Sequence, residues 1–538
     1  MTITAPPAVA RAGVLLLAGG LAVAGCAAPD DGGSASTSIV LADGYELGGY
    51  NPVAGHGEAG NSRIYDGLLR LASAGEAMPE FEPALAAEPP VADPSGQVWT
   101  VRLRDGVSFT DGTPFGADDV VATYEAILDP ASASPLASSF EMLESVAAPS
   151  ADTVEFRLKY PYAAWPTKML LGIAPSERLA PGPAEASALN TEPVGTGPYR
   201  LTSLRADQAV FEANRDYWDG APGVETLTVV HVPDDNARAQ RVAAGEVDGA
   251  NLPPLLADTF SGRGGLEVDA NTSADWRGIS LAPDGPVTSD PAVRTALNLA
   301  VDRDAMVDGI LAGYGRAAST PIPDVYGDAY DPSAVFAHDP QRAQQILDDA
   351  GWRAGADGMR ERDGIPARFT VMYFPEDTLR RDLAQAFASD AHEIGIRVDL
   401  DAADRSVLPQ RLPRDAAMLG GGDLPYDPDT QAYATLHSSY NAPGVGGAYD
   451  NASGYVNPEV DAALDAGRRS LDPAERDAAY REVQRAYVTD PGYVMLVFLD
   501  HTYVRTASDW AGIEPILEPH SHGVDWGPWW NLREWRRP

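Results

Sequence analysis

Hydrophobic and polar positions along the chain follow two periods, and each predicts an element. In "QVWTVRLRDGVSF" (residues 97–109) Val98, Thr100 and Arg102 oppose Trp99, Val101 and Leu103, the alternation of a half-buried strand. "SIVLA" (38–42) and "TLTVVHV" (226–232) are further short β-rich runs. The helical period appears in "GADDVVATYEAIL" (116–128), with acids in its first turn. It returns in "HDPQRAQQILDDAGW" (338–352), where Asp339 can cap, Pro340 suits the first position and Gly351 ends the helix. "DTLRRDLAQAFASDAHEIGIRVDLD" (377–401) reads as helix, turn and strand, and residues 457–470 and 472–488 as a helical pair. The pattern predicts a mixed α/β chain without internal repeats.

The first 28 residues break this pattern. Arg11 is their only charged side chain, followed by the apolar "GVLLLAGGLAVAG" (13–25). A basic residue, an apolar run of about 7–15 residues and small residues at a cut site describe a secretory signal peptide. The run is short of the roughly 20 apolar residues that span a membrane. Val23-Ala24-Gly25-Cys26 resembles a bacterial lipobox, and Cys26 is the only cysteine in 538 residues. Lipidation there, with two acyl chains, gives stable anchoring; the alternative is an ordinary leader with an incidental cysteine. The polar "APDDGGSASTS" that follows suits a tether, and a lone thiol leaves no disulfide within the chain.

Composition narrows the function. A net charge of −39 argues against nucleic acid, whose binding needs a basic surface. It would also repel an anionic membrane surface, so contact with a membrane is expected through the lipid alone. The only lysines are Lys159 and Lys168, read as a compositional bias. Residues 26–538 exceed a single core and predict two or three domains.

Six blocks then carry a resemblance: "WTVRLRDGVSFTDGTPFGADDVVATYEAILDP" (99–130), "VGTGPYRL" (194–201), "NRDYWDGAP" (214–222), "RVAAGEVDGA" (241–250), "VRTALNLAVDRDAMVDGILAGYG" (293–315) and "YDPDTQAYATL" (426–436). In this order they resemble family 5 extracellular solute-binding proteins, the dipeptide, oligopeptide and nickel binders of ABC importers. The resemblance implies a two-lobed periplasmic-binding-protein-like α/β fold of the class II, cluster C type, with a hinge between the lobes. Residues 1–25 would be the lipoprotein signal and 26–37 the tether. Residues 38–50, 195–282 and 499–538 would form lobe I, with 51–194 inserted in it as a subdomain, and 283–498 would form lobe II. The protein would be an extracytoplasmic, monomeric receptor handing a peptide to an ABC permease, with no cofactor.

The resemblance also implies a site. In peptide-binding relatives an aspartate ahead of a "DP" step holds the ligand's ammonium; Asp423 is the nearest match, one residue farther from Asp427-Pro428 than that pattern. Gly420, Gly421 and Gly422 would let a ligand approach the backbone closely, with Gly420 where oligopeptide relatives carry tryptophan, implying a roomier pocket. Tyr426 and Asp427 complete this wall. Tyr50 and His56, in "GGYNPVAGHG", would form the opposite one. Tyr373 stands where dipeptide binders carry a carboxylate-binding arginine, and nickel-chelate relatives carry an arginine near Leu171 that is absent here. His437, His520 and His522 are the candidate ligands of a metal-chelate alternative, though two histidines without a third ligand are a weak metal signal. Residues 526–535 form a tryptophan-rich tail expected to pack on lobe I.

Enzymatic chemistry finds no footing. "HEIGI" (392–396) lacks the second histidine of a zinc-protease helix, and no G-x-S-x-G elbow occurs. The remaining alternative from another class is a lipoprotein sensor or interaction protein without transport.

Overall fold

The computed structural model describes residues 37–538 apart from 74, 76, 443, 444, 448, 508, 509, 521, 522 and 538. The expected leader, Cys26 and His522 lie outside the described residues.

The β-rich runs are strands, and their partners come from distant parts of the chain. Ser38–Asp43 lies between Thr226–His231 and Gly249–Asn251, parallel to both. These belong to one eleven-stranded sheet whose far end is built by Arg397–Ala402, Arg368–Tyr373 and Ala416–Gly421. Two long antiparallel strands at its centre, Leu266–Ser280 and Tyr493–Thr506, join the halves. The first half of Leu266–Ser280 faces residues 500–506, and its second half pairs with Ala416–Gly421. At the changeover the register slips: Thr272 faces Asp500 but Trp276 faces Phe498, so Ser273–Ala274–Asp275 bulge out opposite Leu499. Such bulges bend a strand and redirect its side chains.

The alternating segment at 97–109 becomes the strand Val98–Arg102 of a separate four-stranded sheet. Val101 and Leu103 are buried and Thr100 and Arg102 exposed, as the alternation requires. Helix Ala117–Leu128 packs against this sheet through Val120, Tyr124 and Ile127. It opens with the Asp119 carboxylate accepting from the Gly116 N–H at 2.9 Å. Helix Pro340–Asp349 is capped by Asp339, which accepts from Arg342 N at 2.8 Å, and Gly351 follows in the left-handed region (φ 87°). Both observations match the expected start and stop chemistry. The tail tryptophans Trp526, Trp529 and Trp535 are buried in the core that holds Ile39, Tyr199 and Leu227.

Candidate functional site

A cavity of about 450 Å³ separates the segments around Glu58, Ser139, Tyr162 and Lys168 from those around Asp423, Asp429, Asp450 and Arg468. Ionic side chains span the gap between these two walls. Asp429 is fully buried; it accepts from Arg468 Nε at 2.9 Å and from the Tyr162 hydroxyl, on the opposite wall, at 2.9 Å. Arg468 reaches across in turn, donating Nη1 to Glu141 at 3.0 Å, and its guanidinium sits over the Tyr433 ring at 3.2 Å. Burial and the Asp429 charge push the Tyr162 phenol well up, so it remains a donor. The helix Pro428–Leu436 carries Asp429 and the helix Pro458–Arg469 carries Arg468, so the pair also ties two helices together.

The other pair on the cavity is looser. Lys168, itself buried, stands 3.7 Å from Glu58 Oε1, beyond hydrogen-bond reach, and 5.2 Å from the Phe140 ring centroid. Burial lowers the Lys168 pKa and raises that of Glu58. Ser139 Oγ donates to Glu58 at 3.1 Å. Facing them, Asp423 is exposed to the cavity and has no hydrogen bond or ion pair among the described residues. Its charge helps raise the pKa values of both Glu58 and Asp450, whose shifts come first from burial. Asp423 thus adds negative charge beside Glu58 and Asp450, and such a surface is suited to a cation.

Asp423 is thus the expected residue that faces open space, whereas its neighbours serve the fold. Asp427 caps the helix Pro428–Leu436 through Asp429 N and is paired with Arg476 Nη2 at 2.6 Å. Tyr426 is buried edge-on to Phe81. The three glycines do not widen the pocket, because the chain's own atoms occupy the space beside them. A Cβ on Gly420 would lie 2.6 Å from Arg277 Nη1 and 2.6 Å from His520 Cε1. One on Gly421 would meet the Trp276 ring, and one on Gly422 (φ 110°) the Ala274 carbonyl oxygen at 2.6 Å. Tyr50 and His56 do not line this cavity. Tyr50 is buried between His56 and Phe211, and burial keeps His56 neutral beside Ser62 Oγ. Glu58, two residues on, is what this loop contributes. Tyr373 ends its strand and packs on the core of the other half.

The histidines of the metal alternative are engaged elsewhere. His437 stacks on Tyr433 with centroids 4.3 Å apart, and its Nδ1 accepts from Ser439 N at 3.1 Å. His520 Nδ1 lies 2.7 Å from Asp275 in the strand bulge. Among the described residues no group of three histidine, cysteine, aspartate or glutamate side chains is arranged to hold a metal.

That bulge holds a second ionic centre. Buried His501 places Nε2 3.0 Å from Asp275 and Nδ1 2.8 Å from Glu518. Glu518 also accepts from Asn271 at 2.6 Å and from Gly527 N at 2.9 Å, and Asp275 pairs with Arg277. Burial alone would lower the His501 pKa, but the two carboxylates carry it up to about 9. A smaller cavity of about 170 Å³ lies beside this centre. Its arginines are already paired, Arg238 with Asp235, Arg277 with Asp275 and Arg405 with Glu376.

Lys168, Arg468 and the His501 centre were not identified from the sequence. The scarcity of lysine was a signal for Lys168; for the other two, partners 17 to 327 positions away in sequence left none.

The family model for bacterial extracellular solute-binding proteins, family 5 Middle, matches residues 80–443. The chain is 42% identical over 515 residues to Protein XP55 of Streptomyces lividans, covering 95% of this chain and 92% of that one. It is 28% identical to the oligopeptide-binding protein AppA of Bacillus subtilis (strain 168), over 75% of this chain and 76% of the relative. Among solved structures, NikZ from Campylobacter jejuni in complex with Ni(L-His) superposes with a TM-score of 0.83 at 26% identity, covering 94% of this chain and all of that one.

Proposed function

This chain belongs to the family 5 bacterial extracellular solute-binding proteins of ABC importers, two-lobed binders and not enzymes, and on that premise we propose that it captures peptides by their free amine. The carrying observation is Asp423, an unpaired carboxylate facing the cavity beside Glu58 and Asp450. A peptide ammonium would take charge-assisted hydrogen bonds there, and its entry would relieve repulsion among the three acids. The name of AppA as an oligopeptide binder supports the same reading. A metal chelate finds less support, since His437 and His520 are held by Ser439 and Asp275.

The lobe boundaries expected from the sequence are part of this proposal. Among the described residues, the buried members of two of the four hydrophobic cores all fall within 276–499, and those of a third at 42, 232–260 and 504. Ligand contacts to both walls would favour the closed arrangement, after which the permease receives the peptide. Anchoring through Cys26 completes the reading, and Cys26→Ser should release the protein from membranes.

The test is calorimetry with a tripeptide and its N-acetylated form. Asp423→Ala should weaken the free-amine peptide by tenfold or more and leave the acetylated one unchanged. Equal loss of both would sink the assignment.

A further inference from the structure

The charged groups on the main cavity differ in how completely the protein itself satisfies them. Arg468 is bonded to Asp429 and Glu141, and Asp429 to Arg468 and Tyr162. Lys168 is the contrast. It is 3% exposed, lines the cavity, and has only Glu58 at 3.7 Å and the face of Phe140 at 5.2 Å. An ammonium has three donors, and no donated hydrogen bond from this one is present among the described residues. A buried cation in that condition is costly unless a partner arrives. The burial that lowers the Lys168 pKa describes the same shortage of solvation.

From this geometry we infer that Lys168 is a specificity-determining residue, selecting peptides whose first residue carries a carboxylate beside its free amine. Such a residue is an N-terminal glutamate or a γ-linked glutamyl group. The inference rests on the peptide reading above and deepens it. An incoming ammonium turns toward Asp423 and Asp450, and the carboxylate a few bonds away turns toward Lys168. Glu58 links the two positions, since it lies 3.7 Å from Lys168 and within the field of Asp423. With both ligand charges bound, Glu58 is no longer needed as the nearest counterion of Lys168 and can join the acids around the ammonium. A neutral first side chain would instead leave the Lys168 ammonium without a hydrogen-bond acceptor, a penalty for every non-acidic ligand.

The experiment compares Glu-Ala-Ala, γ-Glu-Ala-Ala and Gln-Ala-Ala by isothermal calorimetry on the mature protein. For the wild type, at least one acidic peptide should bind ten times or more tighter than the glutamine peptide. In Lys168→Met that ratio should fall to about one, and in Lys168→Arg it should return. Equal binding of all three by the wild type overturns the inference and leaves the peptide reading standing. So does a preference that survives Lys168→Met. Failure of every peptide to bind the wild type overturns the peptide reading, and this inference with it. A melting curve of each variant identifies misfolding, and Lys168→Arg carries the test if Lys168→Met does not fold.

Discussion

Arg468 grips Asp429 through two nitrogens, Nε to Oδ1 at 2.9 Å and Nη2 to Oδ2 at 3.0 Å, and the carboxylate is wholly out of water. Removing one member of a buried pair costs about 3–5 kcal/mol, because the other charge stays buried without a partner. Arg468→Met should therefore destabilise the protein strongly in urea unfolding. Adding Asp429→Asn should recover a large part of the loss. An unchanged midpoint in the single variant would contradict the pair's role.

The Tyr162 hydroxyl reaches Asp429 across 267 positions of sequence. A hydrogen bond to a charged group contributes about 1.5–3 kcal/mol. Since Asp429 keeps Arg468, Tyr162→Phe should cost the closed arrangement more than the fold. The expected result is a ligand affinity about tenfold weaker with a nearly unchanged melting temperature. A large drop in melting temperature would assign Tyr162 to the fold instead.

The glycine run makes a sharper claim about stability. Gly422 sits at φ 110°, with the Ala274 carbonyl oxygen 2.6 Å from where a Cβ would go. Neither the conformation nor the carbonyl can yield, so Gly422→Ala should cost about 1–3 kcal/mol. Gly420→Ala should cost less, because the Arg277 and His520 side chains that it meets can move. Thermal melts of the two variants rank them.

His501 supplies a pH dependence. Its folded pKa, about 9, lies above the ordinary 6.5. A raised pKa means that the folded state binds the proton more tightly, so the contribution is fully present below pH 6.5. It is lost as the pH climbs toward and through 9. Melting temperature should accordingly fall across that interval, and His501→Gln should flatten the fall while lowering stability at pH 6. A wild-type profile flat from pH 6.5 to 9 would exclude a charged His501.

Local chemistry made the helices legible. Asp339 and Pro340 at one end and Gly351 at the other each act on a backbone group within a few positions of themselves. The alternation around Val98–Arg102 exposed its buried face for the same reason. Asp423 was legible only by resemblance to a motif, and Asp427, in that same motif, is consumed by a helix cap and Arg476. The ionic centres lie beyond local reasoning. Asp275 meets His501 across 226 positions, and Arg468 meets Glu141 across 327. Their formation depends on a register slip and on the packing of separate segments, and no periodicity encodes either.

The central sheet has a consequence for how such a protein is made. Ser38–Asp43 waits for partners some 190 positions later, and Gly249–Asn251 then needs Tyr493–Thr506, near the very end of the chain. Loop closure over such distances precedes any reward from strand pairing. A chain emerging from its amino end therefore cannot seal its first strand's sheet until Tyr493–Thr506 has emerged as well. Until then the edges of that sheet remain open to other chains, so a chain truncated anywhere before Tyr493 leaves Gly249–Asn251 without this partner.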